Sequence, residues 1–140
     1  MASAMIAKDV DVSADALWRL VAAFGDTSWM PAGTPVRLEG NGPGMTRYIT
    51  AGPERVIQER LESIDAAART LVYTIPVNVP FPVTDYRATM RVTPKEAGCE
   101  LAWGASFTPV GDAPEAEIAK AIEGMYGLMI GWIAARAKAR

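Results

Sequence analysis

The 140-residue sequence contains no histidine and only one cysteine, Cys99. Zinc sites are built mostly from cysteine and histidine, and the common nucleophilic triads need histidine as their base. A zinc site and a histidine-based triad are therefore nearly excluded. The chain is expected to work without a metal ion or an organic cofactor. A single thiol also excludes an intramolecular disulfide, which favours a cytoplasmic location. Cys99 falls in a strand pattern and is expected to be a small buried apolar residue.

Charge of either sign is sparse as well: 21% of the residues are charged, and the formal net charge is −2. Because basic runs and basic–aromatic interleaving are lacking, a nucleic-acid partner is not expected. Residues 1–7 lack the basic and apolar segments of a signal peptide. The most apolar window, residues 125–135, is shorter than a bilayer span, so no membrane span is expected. The length and the apolar composition predict one globular domain over residues 1–140.

The spacing of the apolar residues predicts a first strand at residues 4–12, followed by a short helix. Ser13 suits the N-cap position of this helix, Asp15 its first turn and Gly25 its end. From residue 34 onward the apolar period becomes two, which is the period of a strand. Six further strands are predicted there: 34–40, 44–51, 54–64, 69–78, 84–94 and 98–108.

Short segments rich in glycine, proline and aspartate separate these strands, which is typical of an antiparallel meander. One of them, residues 40–44 with the sequence Gly-Asn-Gly-Pro-Gly, superficially resembles a phosphate-binding loop. No Lys-Ser or Lys-Thr pair follows it, and the next predicted element is a strand rather than a helix. A hairpin turn is therefore the better interpretation.

A long helix is predicted at the C-terminal end of the sequence. Asp112 would be its N-cap, and Glu115 would complete an Asp-x-x-Glu capping box. Apolar residues then recur at helical spacing between residues 118 and 133. The order strand, helix, six strands, helix predicts an α+β domain. Its antiparallel sheet of seven strands would curve around the C-terminal helix.

Three glycines, Gly124, Gly127 and Gly131, lie roughly along one face of this helix. Each costs roughly 1 kcal/mol relative to alanine within a helix, so we expect something to pack closely against them. The sheet, a ligand and a second subunit are all compatible with the pattern. A homodimer through this face is thus one of the alternatives.

Two charges fall on the apolar faces of neighbouring strands. Arg47 alternates with apolar residues in strand 44–51, and Glu59 does so in strand 54–64. Because an isolated buried charge is costly, the two should pair with each other. One interpretation is a structural salt bridge, or a bulge that turns one of them to water. The other is a polar spot in a solvated pocket that contacts a ligand's oxygen atoms.

The inner face of the predicted sheet is otherwise apolar and aromatic, and it supplies the other candidate site residues. Tyr73 and Tyr86 would place two phenol groups near the charged pair, although a buried tyrosine usually finds a local partner for its hydroxyl. Methionine side chains suit a site that adapts to an apolar guest. The candidates for the wall of a ligand-binding pocket are Met90, Trp103, Phe107, Met125 and Met129.

Four segments carry a resemblance to a known family: residues 59–65 (Glu-Arg-Leu-Glu-Ser-Ile-Asp), 71–73 (Leu-Val-Tyr), 86–92 (Tyr-Arg-Ala-Thr-Met-Arg-Val) and 101–103 (Leu-Ala-Trp). Together with the order of elements, they resemble the START-like, or SRPBCC, superfamily typified by the birch-pollen allergen. Within it, the chain looks like the bacterial polyketide cyclase/dehydrase-like branch. The resemblance implies the helix-grip fold and an internal cavity for a small hydrophobic molecule. It does not select an activity, because the superfamily mixes enzymes, carriers and receptors.

Arg47 and Glu59 also lie in segments similar to the onion lachrymatory-factor synthases. In those enzymes an arginine and a glutamate at these positions act on a small sulfenic acid, assisted by tyrosines on later strands. This similarity implies a catalytic set of Arg47, Glu59, Tyr73 and Tyr86. The abscisic-acid receptors have a similar Glu-Arg-Leu-Glu segment, and there the glutamate faces a ligand cavity without catalysis. The long gate loop of those receptors is missing from this sequence.

Three functions remain as alternatives. The first is a cofactor-independent cyclase, dehydratase or isomerase. In it Glu59 moves a proton, Arg47 holds a carboxylate or enolate oxygen, and Tyr73 or Tyr86 donates a hydrogen bond. The second is a non-catalytic binder or carrier of a hydrophobic molecule, anchored at the same charged pair. The third is a protein-interaction module that uses the glycine-lined helix face.

Overall fold

Seven strands and two helices make up residues 2–140, the part of the protein that the computed structural model describes. In chain order they are β1 (Ala2–Val10), α1 (Ala14–Ala22), β2 (Val36–Glu39), β3 (Thr46–Gly52), β4 (Arg55–Asp65), β5 (Thr70–Thr74), β6 (Val83–Pro94), β7 (Cys99–Pro109) and α2 (Glu115–Ala139). The strands form one antiparallel sheet in the order β1-β7-β6-β5-β4-β3-β2. The predicted α+β fold, with a curved seven-stranded sheet and a long C-terminal helix, is confirmed.

Helix α2 lies against the inner face of the sheet and completes the core. By length and composition, it is the one helix within residues 2–140 that could cross a membrane, with a mean hydropathy of 1.2 over 18 residues. A core helix of a globular protein also has this length and composition, so the expectation of no membrane span is supported. The apolar stripe of α2 is used inside the fold. The residues buried there are Ile118, Ile122, Tyr126, Ile130, Ile133 and Ala137.

Helix α1 begins as the sequence predicts and ends earlier. The hydroxyl of Ser13 accepts a hydrogen bond from the Ala16 amide at 3.1 Å, so Ser13 is the N-cap. The helix ends at Ala22 rather than at Gly25. A Cβ atom on Gly25 would lie 3.2 Å from Leu38, so this glycine permits a close approach of two chain segments.

The predicted capping box of α2 does not form. Pro114 is the N-cap residue, and no side chain caps the helix end. The reason is steric, because the residue before a proline is disfavoured in helical conformation. Ala113 therefore cannot be the first helical residue after Asp112, and the helix begins at Glu115.

The strands agree with their predicted ranges to within a few residues, except for β5. It ends at Thr74 instead of residue 78. Pro76, Pro80 and Pro82 lack the amide hydrogen that a strand interior needs. Residues 75–82 consequently leave the sheet and form a loop at one end of it.

The hairpin interpretation of residues 40–44 is confirmed. Strand β2 pairs antiparallel with β3 directly across this segment. Gly40, Gly42 and Gly44 have φ values of 79°, 66° and 96°, which only glycine adopts readily.

The expected close packing against the glycines of α2 is absent from residues 2–140. A Cβ atom built on Gly124 or Gly131 would meet nothing within 4 Å. On Gly127 it would make ordinary contacts of 3.4 Å with Ile6 and Lys8. The sheet therefore does not explain these glycines, and the homodimer stays a prediction.

Candidate functional site

A cavity of about 520 Å³ lies between the sheet and α2, at the end covered by residues 29–34 and the loop 75–82. Its volume falls within the usual range for small-molecule sites, roughly 300 to 1,000 Å³. Its exposed lining is mainly apolar. Of the predicted site residues, those that line it are Arg47, Glu59, Tyr73, Tyr86, Trp103, Met125 and Met129.

Met90 and Phe107 lie outside the lining of this cavity, which corrects their expected place in the pocket wall. Met90 borders a separate void of only about 10 Å³ beneath α1. Phe107 is completely buried on β7, opposite Ala2 of β1. Strand alternation correctly turns both side chains inward. The inner face is larger than the cavity, however, and helices and neighbouring strands fill the rest of it.

Arg47 and Glu59 are direct neighbours across the β3–β4 ladder. Arg47 Nε lies 2.7 Å from Glu59 Oε1, and the two side chains are 5% and 14% exposed. Arg47 Nη1 donates a second hydrogen bond, of 2.9 Å, to the Phe24 carbonyl oxygen. The guanidinium carbon also lies 3.9 Å from the centre of the Phe24 ring. Two hydrogen bonds and the Phe24 ring, which covers one face of the guanidinium group, thus hold Arg47 in place.

Glu59 is less completely engaged than its partner. Its Oε1 accepts from Arg47, whereas Oε2 has no hydrogen-bond partner within residues 2–140. Every fully buried polar side-chain atom in that range does have a partner. Oε2 is therefore not fully buried, and the side chain that carries it lines the cavity. The ion pair is closed, and Glu59, a residue of the cavity lining, keeps one carboxylate oxygen without a protein hydrogen bond within residues 2–140.

Three tyrosines and a tryptophan meet beside the ion pair, and we call these four residues the phenol cluster: Tyr73, Tyr86, Tyr126 and Trp103. The indole Nε1 of Trp103 donates to the Tyr73 hydroxyl at 3.1 Å. The hydroxyls of Tyr86 and Tyr126 are hydrogen-bonded to each other. The rings of Trp103 and Tyr126 are stacked, with their centres 4.7 Å apart. All four residues line the cavity.

Tyr126 is the site residue that the sequence analysis missed. It is almost fully buried in the middle of α2. Its position four residues after Ile122 and four before Ile130 places it on the inward helix face, and this spacing was the available signal. Nothing in the sequence alone indicated that its hydroxyl would reach Tyr86.

Burial keeps the phenols of the cluster protonated. Desolvation is the main cause that raises the pKa of Tyr73 and Tyr86 well above the ordinary value of 10.0. Desolvation likewise raises the pKa of Tyr126. The negative charge of Glu59 adds to the rise in pKa for Tyr73 and Tyr126, whereas the positive charge of Arg47 lowers the pKa of Tyr73.

A bulge in β6 lies directly before Tyr86. The register of β6 against β7 shifts between Thr84 and Arg87, and Asp85 within it has a φ of 55°. Val83 and Tyr86 are consequently both buried, although they are three residues apart. Strict alternation from Ala88, Met90 and Val92 places Tyr86 on the inner face, and the extra residue returns Val83 to that same face.

The mouth of the cavity is formed by apolar side chains and one cation. Phe81 from the loop 75–82, Met30 and Trp132 contribute to it, and Met125 is 43% exposed. Arg55 at the start of β4 also lines the cavity and is exposed.

Within residues 2–140, no group of three or more histidine, cysteine, aspartate or glutamate side chains has a metal-binding arrangement. The absence of a cofactor stays a prediction.

The family model described as polyketide cyclase / dehydrase and lipid transport matches residues 1–138. Among solved structures, a protein from Thermobifida fusca is 33% identical, with a TM-score of 0.78 and coverage of 98% of this chain and 93% of the other. Ara h 8.0201 is 20% identical, with a TM-score of 0.78 and coverage of 99% and 98%. No curated protein matches the sequence.

A third solved structure is norcoclaurine synthase from Thalictrum flavum in complex with dopamine and hydroxybenzaldehyde. It is 18% identical, with a TM-score of 0.76, and the match covers 99% of this chain and 87% of the other. At such identity the similarity shows the fold alone. The shared fold agrees with the helix-grip arrangement that the sequence resemblance implied.

Proposed function

This chain belongs to the polyketide cyclase / dehydrase and lipid transport family, and we propose that it acts on a small hydrophobic molecule as a cofactor-independent cyclase, dehydratase or isomerase. Family membership and the fold support the binding of a hydrophobic ligand. The cavity of about 520 Å³ would hold roughly 15 to 25 non-hydrogen atoms at the packing density of protein interiors.

The observation that carries the proposed chemistry is the position of Glu59. A carboxylate lies in a largely apolar cavity wall, and one of its oxygens is fixed by Arg47 at 2.7 Å. The other oxygen is without a protein partner within residues 2–140. A base that is oriented through one oxygen and open at the other is suited to proton transfer to or from a bound carbon acid.

A dehydration illustrates how the groups would act on a β-hydroxy ketone. Glu59 removes the proton next to the carbonyl, and the electron pair of that C–H bond moves toward the carbonyl oxygen. The phenol cluster donates hydrogen bonds to the negative charge that develops there. The C–O bond to the hydroxyl then breaks, a C=C bond forms, and Glu59 returns its proton to the departing oxygen as water. Arg47 keeps Glu59 in position throughout.

The test uses 4-hydroxy-4-phenylbutan-2-one, whose dehydration gives a conjugated enone with strong near-ultraviolet absorbance. We expect the protein to accelerate this reaction and Glu59→Gln to slow it by about 10² to 10⁴-fold, the usual range for a lost general base. Glutamine can still accept a hydrogen bond from Arg47, so the fold is preserved. Glu62→Gln is the matched control, because Glu62 is paired with Arg60 and does not line the cavity. Equal rates for Glu59→Gln and the unchanged protein would sink the assignment.

A non-catalytic binder or carrier is the second candidate, and a specific observation favours it. Two nitrogens of Arg47 are committed to Glu59 and to the Phe24 carbonyl oxygen, which limits their use on a substrate. In this case a bound ligand would be recovered chemically unchanged. Mass spectrometry of the extracted ligand after prolonged incubation separates the two candidates.

A further inference from the structure

The phenol cluster has more donor hydrogens than hydroxyl oxygens, because the indole N–H of Trp103 adds to the three phenol hydrogens. The indole N–H of Trp103 can only donate a hydrogen bond, and the Tyr73 hydroxyl oxygen accepts it. The hydrogen bond between the Tyr86 and Tyr126 hydroxyls uses one of their two hydrogens. The Tyr73 hydroxyl is also hydrogen-bonded to Tyr86 and Tyr126, so one indole hydrogen and three phenol hydrogens share three hydroxyl oxygens. When each oxygen accepts one of these hydrogens, one hydrogen is left for an acceptor in the cavity. The cluster is therefore a net donor of hydrogen bonds.

These donors face the cavity and keep their hydrogens. All three tyrosines line it, and burial raises the pKa of each phenol. Buried hydroxyls without an acceptor lose the hydrogen bond they make with water, which costs free energy. An oxygen acceptor on a bound molecule would remove that cost.

The charge around the cluster disfavours an anion at the same place. The negative charge of Glu59 raises the pKa of Tyr73 and Tyr126, and the positive charge of Arg47 opposes this effect only at Tyr73. The neighbouring cation, Arg47, is already bound to Glu59 and to the Phe24 carbonyl. A ligand carboxylate placed beside the cluster would add a second negative charge next to Glu59, with no free cation to balance it.

We propose that the cavity selects molecules whose buried polar end is an uncharged carbonyl oxygen, as in a ketone or an ester, and excludes the corresponding carboxylates. The proposal rests on the ligand-binding part of the proposed function and names the ligand class. Tyr126 is assigned as a further ligand-binding residue, because its hydroxyl belongs to the donor group that receives this oxygen.

Three fluorescent probes of nearly equal size test this selection. They are 6-propionyl-2-(dimethylamino)naphthalene, which is a ketone, methyl 6-(dimethylamino)-2-naphthoate, which is an ester, and 6-(dimethylamino)-2-naphthoate, which is the anion. At pH 8 we expect the ketone and the ester to bind saturably and the anion to bind at least about tenfold more weakly, because like charges repel at close range. In Glu59→Gln this difference should shrink, since the repelling charge is gone.

Variants of single phenols test where the oxygen binds. We expect Tyr126→Phe to weaken ketone binding by roughly three- to tenfold, the equivalent of one hydrogen bond. The emission of the bound ketone should also shift to shorter wavelength, because this fluorophore emits at longer wavelength when its carbonyl accepts hydrogen bonds. Tyr48→Phe is the matched control, since Tyr48 is a tyrosine that does not line the cavity.

The outcomes separate this proposal from the proposed function. Saturable binding of all three probes with equal affinity, or tighter binding of the anion, would overturn the selection for uncharged oxygen and leave ligand binding intact. Anion binding that disappears in Arg55→Ala would overturn it too, by placing the carboxylate at the mouth. Failure of every probe to bind saturably would contradict the ligand-binding function and, with it, this proposal.

Discussion

Arg47 and Glu59 combine two interpretations that the sequence left as alternatives. The pair is a closed, largely buried salt bridge, and it also lines the cavity. Such a pair gains little stability over apolar residues, whereas removal of one partner leaves the other charge unbalanced. The two roles are compatible, because two nitrogens of Arg47 are bound to protein groups, whereas one carboxylate oxygen of Glu59 has no protein partner within residues 2–140.

The buried phenols should make stability fall at high pH. In the unfolded chain a phenol loses its proton near pH 10, whereas burial raises the pKa of Tyr86 in the folded protein. Above about pH 10 the unfolded state binds fewer protons, so the free energy of unfolding falls as the pH rises, by up to about 1.4 kcal/mol per pH unit and phenol. Below about pH 10 the phenols are protonated in both states, so their contribution to the free energy of unfolding does not change with pH.

Urea unfolding between pH 8 and pH 11 measures this slope. We expect Tyr86→Phe to show a shallower decline above pH 10 than the unchanged protein, because it lacks one of the shifted phenols. Parallel curves for the two proteins would contradict the burial argument for Tyr86.

At the residue scale, the sequence predicted which face of the sheet a side chain occupies better than it predicted which groups that side chain contacts. Strand alternation placed Arg47, Glu59, Tyr73 and Tyr86 on the inner face, and the structure has them around one cavity. The role of Tyr126 was not predictable, because its hydrogen bond to Tyr86 depends on how far α2 lies from β6. Local periodicity carries no information on that distance.

At the scale of elements, the irregular parts of the chain position the site. The bulge in β6 brings Val83 to the same inner face as Tyr86, and the prolines between β5 and β6 release residues 75–82 to cover the cavity. Bulges interrupt the period of two without a distinctive sequence pattern. The sequence therefore predicted the existence and order of the elements well, and their caps and interruptions poorly.

Asp85 offers a test of the bulge. Its φ of 55° lies in the left-handed region, where glycine and aspartate are tolerated and β-branched residues are strained. We expect Asp85→Val to lower the free energy of unfolding by about 1 to 3 kcal/mol. Asp85→Gly should stay within about 0.5 kcal/mol of the unchanged protein. Urea unfolding supplies both values.

Arg87→Val is the control for this comparison. Arg87 is exposed on the same strand, and its φ is not positive. Its replacement should change the unfolding free energy by no more than about 0.5 kcal/mol. Equal effects of valine at residues 85 and 87 would show that the bulge does not constrain Asp85.

At the scale of the whole molecule, the fold separates a packed half from a hollow half. Beneath α1 the inner face of the sheet is filled, and only a void of about 10 Å³ remains beside Met90. At the other end, a cavity of about 520 Å³ stays open between the sheet, α2 and the loop 75–82. Element order predicted a sheet curved around a helix. The division between filled and hollow regions depends on side-chain volumes across several elements, so alternation alone did not show that Met90 and Phe107 lie outside the cavity lining.

The central claim is that this cavity holds a small hydrophobic molecule, and a blocked cavity tests it most directly. Ile57 of β4 lines the cavity, whereas its neighbour Gln58 does not. We would titrate the ketone probe 6-propionyl-2-(dimethylamino)naphthalene into the unchanged protein, Ile57→Trp and Gln58→Trp, after circular dichroism has shown that all three are folded. The account predicts saturable binding of one probe per chain in the unchanged protein and in Gln58→Trp, and at least about tenfold weaker binding in Ile57→Trp, because the indole occupies the site. Equal binding by Ile57→Trp and Gln58→Trp, or no saturable binding by the unchanged protein, would contradict it.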